Sequence, residues 1–147
     1  MLKKNGGHTA QALGRSAGGF STKIHTVTEA LGQPLRFRLT AGQVHDVTQA
    51  EALLGEFIPE YLLGDRGYAS AAFTTLLEAR GIIPVIPPHP RSQTPQWYDR
   101  HLYKERHVIE CFFNKIKHFR RIFTRFDKLA HRYLSFVYLV STLIALR

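Results

Sequence analysis

The sequence predicts an α/β fold, a sheet backed by helices. Three observations point there. Two stretches, Phe20 to Thr28 and Leu35 to Thr40, alternate side-chain character at the period of a strand. Two short apolar runs, Tyr61 to Leu63 and Ile82 to Ile86, flank a segment with helical spacing. From Arg100 onward the chain carries two further helical patterns. The order β-β-α-β-α-β-α-α belongs to a sheet with helices packed against it.

Residues 1–19 hold five glycines, two lysines and one arginine without a hydrophobic period. They read as a mobile basic arm preceding one domain over 20–147. Phe20 to Thr28 then places Phe20, Thr22, Ile24, Thr26 and Thr28 on one side of a strand. Leu31-Gly32-Gln33-Pro34 is a turn, and Leu35, Phe37 and Leu39 alternate with Arg36, Arg38 and Thr40. The pair is a hairpin with one apolar and one partly basic face. A helix follows over Asp46 to Phe57, where Asp46 as N-cap and Gln49 three residues later make a capping-box pattern. Tyr61-Leu62-Leu63-Gly64-Asp65 is a strand ending in a carboxylate. Ser70 to Arg80 is helical and Gly81 stops it. Residues 87–99, with four prolines, form a loop. Arg100 to about Phe123 reads as one long helix, started by Asp99, and a last helix spans roughly Asp127 to Arg147.

The 147 residues are 44% hydrophobic and 21% charged, which excludes a disordered chain and fits one domain. Twenty Lys and Arg against eleven Asp and Glu leave a net charge of +9, a balance that favours polyanions, above all nucleic acid. A merely basic soluble protein is the plainer alternative. One cysteine, Cys111, excludes an intrachain disulfide and a zinc finger and fits a reducing compartment. The first residues lack the apolar core of a secretory signal. The apolar stretch Tyr133 to Leu146 falls short of the roughly 20 residues a bilayer span needs. The eight histidines show no metal-ligand spacing.

Candidate chemistry sits on the long helix and at the Asp65 strand. At about 100° per residue, Tyr103, Arg106, Glu110 and Lys117 share one narrow stripe bordering the apolar face of Ile109, Phe112, Phe113, Ile116 and Phe123. The stripe is either a site or a surface ladder of ion pairs, since Arg106 and Glu110 stand four residues apart. Asp65 ends an apolar strand, where ligand and metal sites of α/β sheets lie, and Gly67 lets the chain turn there. A turn cap is the alternative role for Asp65.

These residues match a family pattern. Tyr103, Arg106, Glu110 and Lys117 carry the spacing Tyr-x2-Arg-x3-Glu-x6-Lys, and Asp65-Arg66-Gly67-Tyr68 carries Asp-x-Gly-Tyr. With the stretches at 18–25 and 120–129, the chain resembles the C-terminal part of DDE-type insertion-sequence transposases, close to the fifth insertion-sequence family. The resemblance implies an RNase H-like fold and a bacterial cytoplasmic protein acting on double-stranded DNA at transposon ends and target. It implies that Asp65 and Glu110 are metal ligands for Mg²⁺ or Mn²⁺, the second and third of three carboxylates. It further implies that Tyr103, Arg106 and Lys117 contact DNA. The basic run through Lys115, Lys117, His118, Arg120, Arg121, Arg125 and Lys128 extends that contact to phosphates, or else is a solvated helix face. Phe112, Phe113, Phe119, Phe123 and Phe126 are expected in the core rather than stacked on bases.

One departure from the pattern matters. Residues 1–19 contain no Asp or Glu, so the first carboxylate and its central strand are expected to be missing. Capping explains Asp46 better than catalysis. The expected protein is an incomplete RNase H-like domain, inactive alone. It either belongs to a cleaving and joining transposase or is a DNA-binding or inhibitory remnant that pairs with itself or with a full-length copy.

Overall fold

The computed structural model describes residues 11–16, 19–92 and 96–146. It is a mixed α/β structure with two small sheets and several helices. The elements in chain order are β1 (Gly14–Ser16), β2 (Gly19–Thr28), β3 (Pro34–Ala41), a 3₁₀ turn (Asp46–Gln49) and α1 (Ala50–Leu54). Then come β4 (Tyr61–Leu63), a 3₁₀ turn (Arg66–Tyr68), α2 (Ala71–Ala79) and β5 (Ile83–Val85). Last are α3 (Arg100–Tyr103), a 3₁₀ turn (Lys104–Arg106), α4 (His107–Lys117), α5 (Arg120–Phe123) and α6 (Ala130–Ala145). The chain divides into two compact units, one drawn from residues 1–44 and 109–147, the other from 45–108.

In the first unit, β1, β2 and β3 form an antiparallel sheet in that order. The hairpin is as predicted: Ile24 stands opposite Leu39 and Thr26 opposite Phe37. Ile24, Phe37 and Leu39 pack on the helices, in a core with Phe112, Ile116, Ile122, Tyr133, Val137 and Val140. The opposite face carries Lys23, His25, Arg36 and Arg38. There the buried His25 Nε2 lies 2.7 Å from Thr40 Oγ1, and Lys23 Nζ donates to the Val44 carbonyl at 2.8 Å. On the outer edge of β3, the Phe37 amide donates to Tyr138 Oη of α6 at 3.3 Å.

Of the expected arm, residues 1–10 and 17–18 lie outside the described residues. The described part is ordered against the sheet: Gly14–Ser16 is a strand, with Gly14 opposite Ser21 and Ser16 opposite Gly19. It covers only the first residues of β2. Beyond Ser21 that edge has no neighbouring strand among the described residues.

The long helix expected from Arg100 to Phe123 is a correction: it is broken twice. The turn at Lys104–Arg106 is 3₁₀, and at Phe119 the backbone leaves the helix (φ −82°, ψ 99°) before α5 restarts. The second break turns the Phe119 ring onto the core. The last helix starts at Ala130, later than expected. Its cap comes from far away: the Ala130 amide donates to Gln11 Oε1 at 2.9 Å. The aromatic run divides as well. Phe112 is buried, and Phe113 and Phe119 pack on the core, but Phe123 and Phe126 are 69% and 65% exposed.

In the second unit, β4 and β5 pair in parallel, Tyr61 opposite Ile83 and Leu63 opposite Val85. The crossover is α2, whose Phe73 and Leu77 are buried with Leu54, Ile82 and Ile86. The helix expected from Ser70 is present, with Ser70 as its cap, accepting from the Phe73 amide at 3.5 Å, and Gly81 ends it as predicted, at φ +72°. The Asp46–Phe57 helix is shorter and starts differently. His45, not Asp46, holds the N-cap position and makes no side-chain cap bond. Only Ala50–Leu54 is α-helical before Gly55 turns away at φ +53°. No helix of the described residues is long and apolar enough to cross a membrane.

Candidate functional site

Asp65 follows β4 directly. Gly64, buried, donates its amide to the Val85 carbonyl at 3.2 Å, and a Cβ there would lie 3.2 Å from Ile86 Cγ1. Close packing therefore fixes the chain one residue before the carboxylate. Asp65 is extended, and its Oδ1 accepts from the Gly67 amide at 2.9 Å. The cap reading thus holds, and it leaves the rest of the carboxylate available.

A second carboxylate reaches the same place. A Cβ on Gly67 would lie 3.0 Å from Asp65 Oδ1 and 3.1 Å from Asp46 Oδ2. Asp46 and Asp65 therefore converge on the small space above Gly67, which any larger residue would fill. Sequence reasoning gave Asp46 to a helix cap; here its side chain faces the Asp65 turn. The Tyr68 hydroxyl beneath them is pushed well above the ordinary tyrosine range, by burial first and then by the negative charge of Asp46 and Asp65. It stays a proton donor. The oxygen donors Asp46 and Asp65 suit a hard divalent cation such as Mg²⁺ or Mn²⁺.

The remaining predicted residues lie on the broken helix. Asp99 starts it, accepting from the His101 and Leu102 amides at 2.7 and 3.0 Å. Those bonds, that from Leu102 foremost, hold its carboxyl below the usual aspartate value. The half-buried Tyr103 ring meets the Tyr98 ring edge-on, centroids 5.6 Å apart, and the Arg106 guanidinium stands 5.5 Å from the Tyr103 centroid. Along α4, Phe112 and Ile116 turn inward, while Glu110 and Lys117 are exposed, two turns apart on one face. Glu110 is in the first turn, where the helix dipole favours a carboxylate, and Lys117 in the last, where it favours a cation.

Arg120 is exposed at the start of α5. Arg121 grips Asp127 with Nε and Nη2 at 3.0 and 3.1 Å and stands 5.1 Å from the Phe136 ring centroid. Arg125 turns inward instead of joining a basic face.

The structure therefore brings Tyr103 to Arg106, Glu110 to Lys117 along one face, and Asp46 to Asp65. Asp65 belongs to the second unit and Glu110 to the first. Among the described residues no three His, Cys, Asp or Glu side chains gather as a metal site. A surface cleft of about 490 Å³, lined by Pro88, Trp97, Tyr98 and Arg100 among others, contains none of the predicted site residues.

Residues 4–144 match the family described as transposase DDE domain. A Brucella ovis protein named as transposase for insertion sequence element IS6501 is 39% identical over 132 residues, 86% of this chain and 99% of that protein. A Burkholderia cepacia protein named as transposase for insertion sequence element IS402 is 34% identical over 135 residues, 84% of this chain. The match spans 62% of that longer relative. No solved structure matches the chain.

Proposed function

The chain belongs to the DDE-domain transposases of insertion sequences, and from that premise we propose that it supplies Asp65 and Glu110 to a metal-dependent site for DNA strand cleavage and strand transfer. The observation that carries this reading is the placement of the motif residues. Asp65 follows the half-buried strand β4 on a turn open enough for a second carboxylate, and Glu110 stands exposed in the first turn of α4 beside a cationic stripe. The fold proposed for the complete domain is RNase H-like.

Asp65 and Glu110 are the residues that would hold Mg²⁺ or Mn²⁺. When bound, such ions activate an attacking oxygen and stabilise the leaving oxygen of a phosphodiester. The chain's other residues bind and orient DNA. Arg106, its guanidinium steadied over Tyr103, presents a planar fork to a phosphate, whereas Lys117 offers a point charge. Arg120 and Arg121 extend the contact along the backbone. None of these reads bases; they set position.

The resemblance calls for three carboxylates, and Asp65 and Glu110 account for two of them. A third has to join before cleavage. The chain by itself binds DNA without cutting it, and it can occupy transposon ends or pair with a full-length copy.

The test is fluorescence anisotropy on an insertion-sequence end duplex across a salt series, followed by a cleavage assay in Mg²⁺. Each cation on a phosphate contributes roughly −0.9 to the log–log salt slope. Lys117→Gln and Arg120→Gln should each flatten it by about that amount. No salt-dependent binding would defeat the DNA reading. Single-turnover cleavage by the unaided chain would defeat the requirement for a third carboxylate.

A further inference from the structure

At the end of the segment between α4 and α6 the usual order of hydrophobicity is reversed. Arg125 turns inward while Phe123 and Phe126 face outward. Arg125 takes a left-handed backbone conformation, φ +43°, which non-glycine residues rarely adopt. Its guanidinium donates to the Ala12 carbonyl at 2.9 Å, the Gln11 carbonyl at 2.5 Å and Thr22 Oγ1. Its Nε donates to the Asp127 carbonyl at 3.3 Å, and the group stands 5.1 Å from the Tyr133 centroid. With Arg125 anchored this way, Phe123 and Phe126 on either side are left 69% and 65% exposed.

Two solvent-facing rings so close in sequence are an informative exposure, unlike a scattered surface leucine. Burial inside this unit does not account for them, because the core beneath is filled by Phe112, Ile116, Ile122 and Tyr133. Their surroundings identify what would cover them. After Glu110, Asp127 is the only acidic residue in the sequence, and Arg121 grips it. Arg120, Lys128 and Arg132 are exposed around the same turn. Aromatic faces among surplus cations fit a polyanion that also offers flat apolar surfaces. That describes nucleic acid with bases out of the helical stack.

We propose that Phe123 and Phe126 are stacking platforms for unpaired bases at a DNA end, with Arg120, Arg121 and Lys128 on the flanking phosphates. The proposal rests on the DNA reading above and adds a preference for frayed or single-stranded DNA over intact duplex. Arg125 is a positioning residue: its inward bonds to residues 11, 12 and 22 hold the turn so that both rings face out.

The test compares two oligonucleotides of equal length and charge, one a blunt duplex and one carrying unpaired 3′ thymines, by anisotropy with the full chain at fixed salt. The expected result is binding of the forked DNA at least tenfold tighter, on the order of what one stacked ring supplies. F123A/F126A should bind both DNAs alike, with an unchanged thermal melt as the folding control. F123Y/F126Y should keep the preference and F123L/F126L should lose it, because stacking needs a ring. Blunt-duplex binding without a fork preference, or a preference that survives F123A/F126A, overturns this proposal alone. Binding to neither DNA overturns the DNA reading with it. A fork-independent shift from dimer to monomer in F123A/F126A, seen by sedimentation, overturns the proposal in favour of a contact between copies.

Discussion

Asp65 and Glu110 reach the surface by opposite means. Asp65 sits in a turn where nearly every group is committed: Gly64 to β5, the Asp65 carboxylate to the Gly67 amide, and the Tyr68 ring to the core. Glu110 projects from a regular helix whose opposite face does the packing. A carboxylate in the first setting holds its own loop together. One in the second stands on a face that leaves the packing to the other side of its helix. The same substitution should therefore report two different things at the two places.

The largest effects come from removing the support beneath each. Leu77 is fully buried under the Asp65 side and Ile116 almost so under α4. Leu77→Ala and Ile116→Ala should each cost about 2–5 kcal/mol by denaturant unfolding. Hydrogen exchange should rise in the mutated region, 61–86 for the first and 107–144 for the second. If neither midpoint moves, the two cores are not what fixes the two carboxylates.

At the carboxylates the contrast sharpens. Asp65→Ala should lose about 1 kcal/mol with the Gly67 bond, as helix-cap losses do. Asp65→Asn keeps an acceptor and most of that stability. Glu110→Gln should stay within about 0.5 kcal/mol of the parent. Both Asp65→Asn and Glu110→Gln should still abolish Mg²⁺-dependent cleavage in a full-length transposase carrying them. A Glu110→Gln protein that unfolds readily would erase the distinction drawn here.

The smallest effect is acid sensitivity. Asp127 has a lowered pKa, chiefly through the Arg121 hydrogen bond, and Asp99 a lowered one through its backbone donors. Depressed folded values mean the stabilisation is complete above the ordinary 3.8 and disappears as pH falls through the lowered values. Asp99→Asn and Asp127→Asn should therefore lose less stability than the parent between pH 4 and pH 2. A parallel acid profile would show that the carboxylates contribute nothing through their charge.

Much of this was legible in the sequence because it is local. Alternation from Phe20 to Thr40 revealed the hairpin, and the Asp99 cap sits within three residues of its donors. What escaped is carried by distant partners. Asp46 meets the Asp65 turn across a tertiary contact, so its helix-start position in the sequence suggested a cap. Arg125 looked like part of a basic run because its acceptors, Gln11 and Ala12, lie over a hundred residues away. Helical periodicity judges faces on the assumption of an unbroken helix, so it placed Phe123 inside although the helix breaks before it.

The 3₁₀ turn at Lys104–Arg106 gives the motif spacing a meaning. In a 3₁₀ turn, residues three apart eclipse one another, and Tyr103 and Arg106 are three apart and stacked. In an α-helix, residues seven apart return to the same face, and Glu110 and Lys117 are seven apart on α4. The intervals in Tyr-x2-Arg-x3-Glu-x6-Lys thus work as a ruler with two scales, one for each kind of helix. Sliding one residue into the 104–106 turn would unstack the guanidinium and rotate everything downstream by about 100°, although no motif residue would have changed.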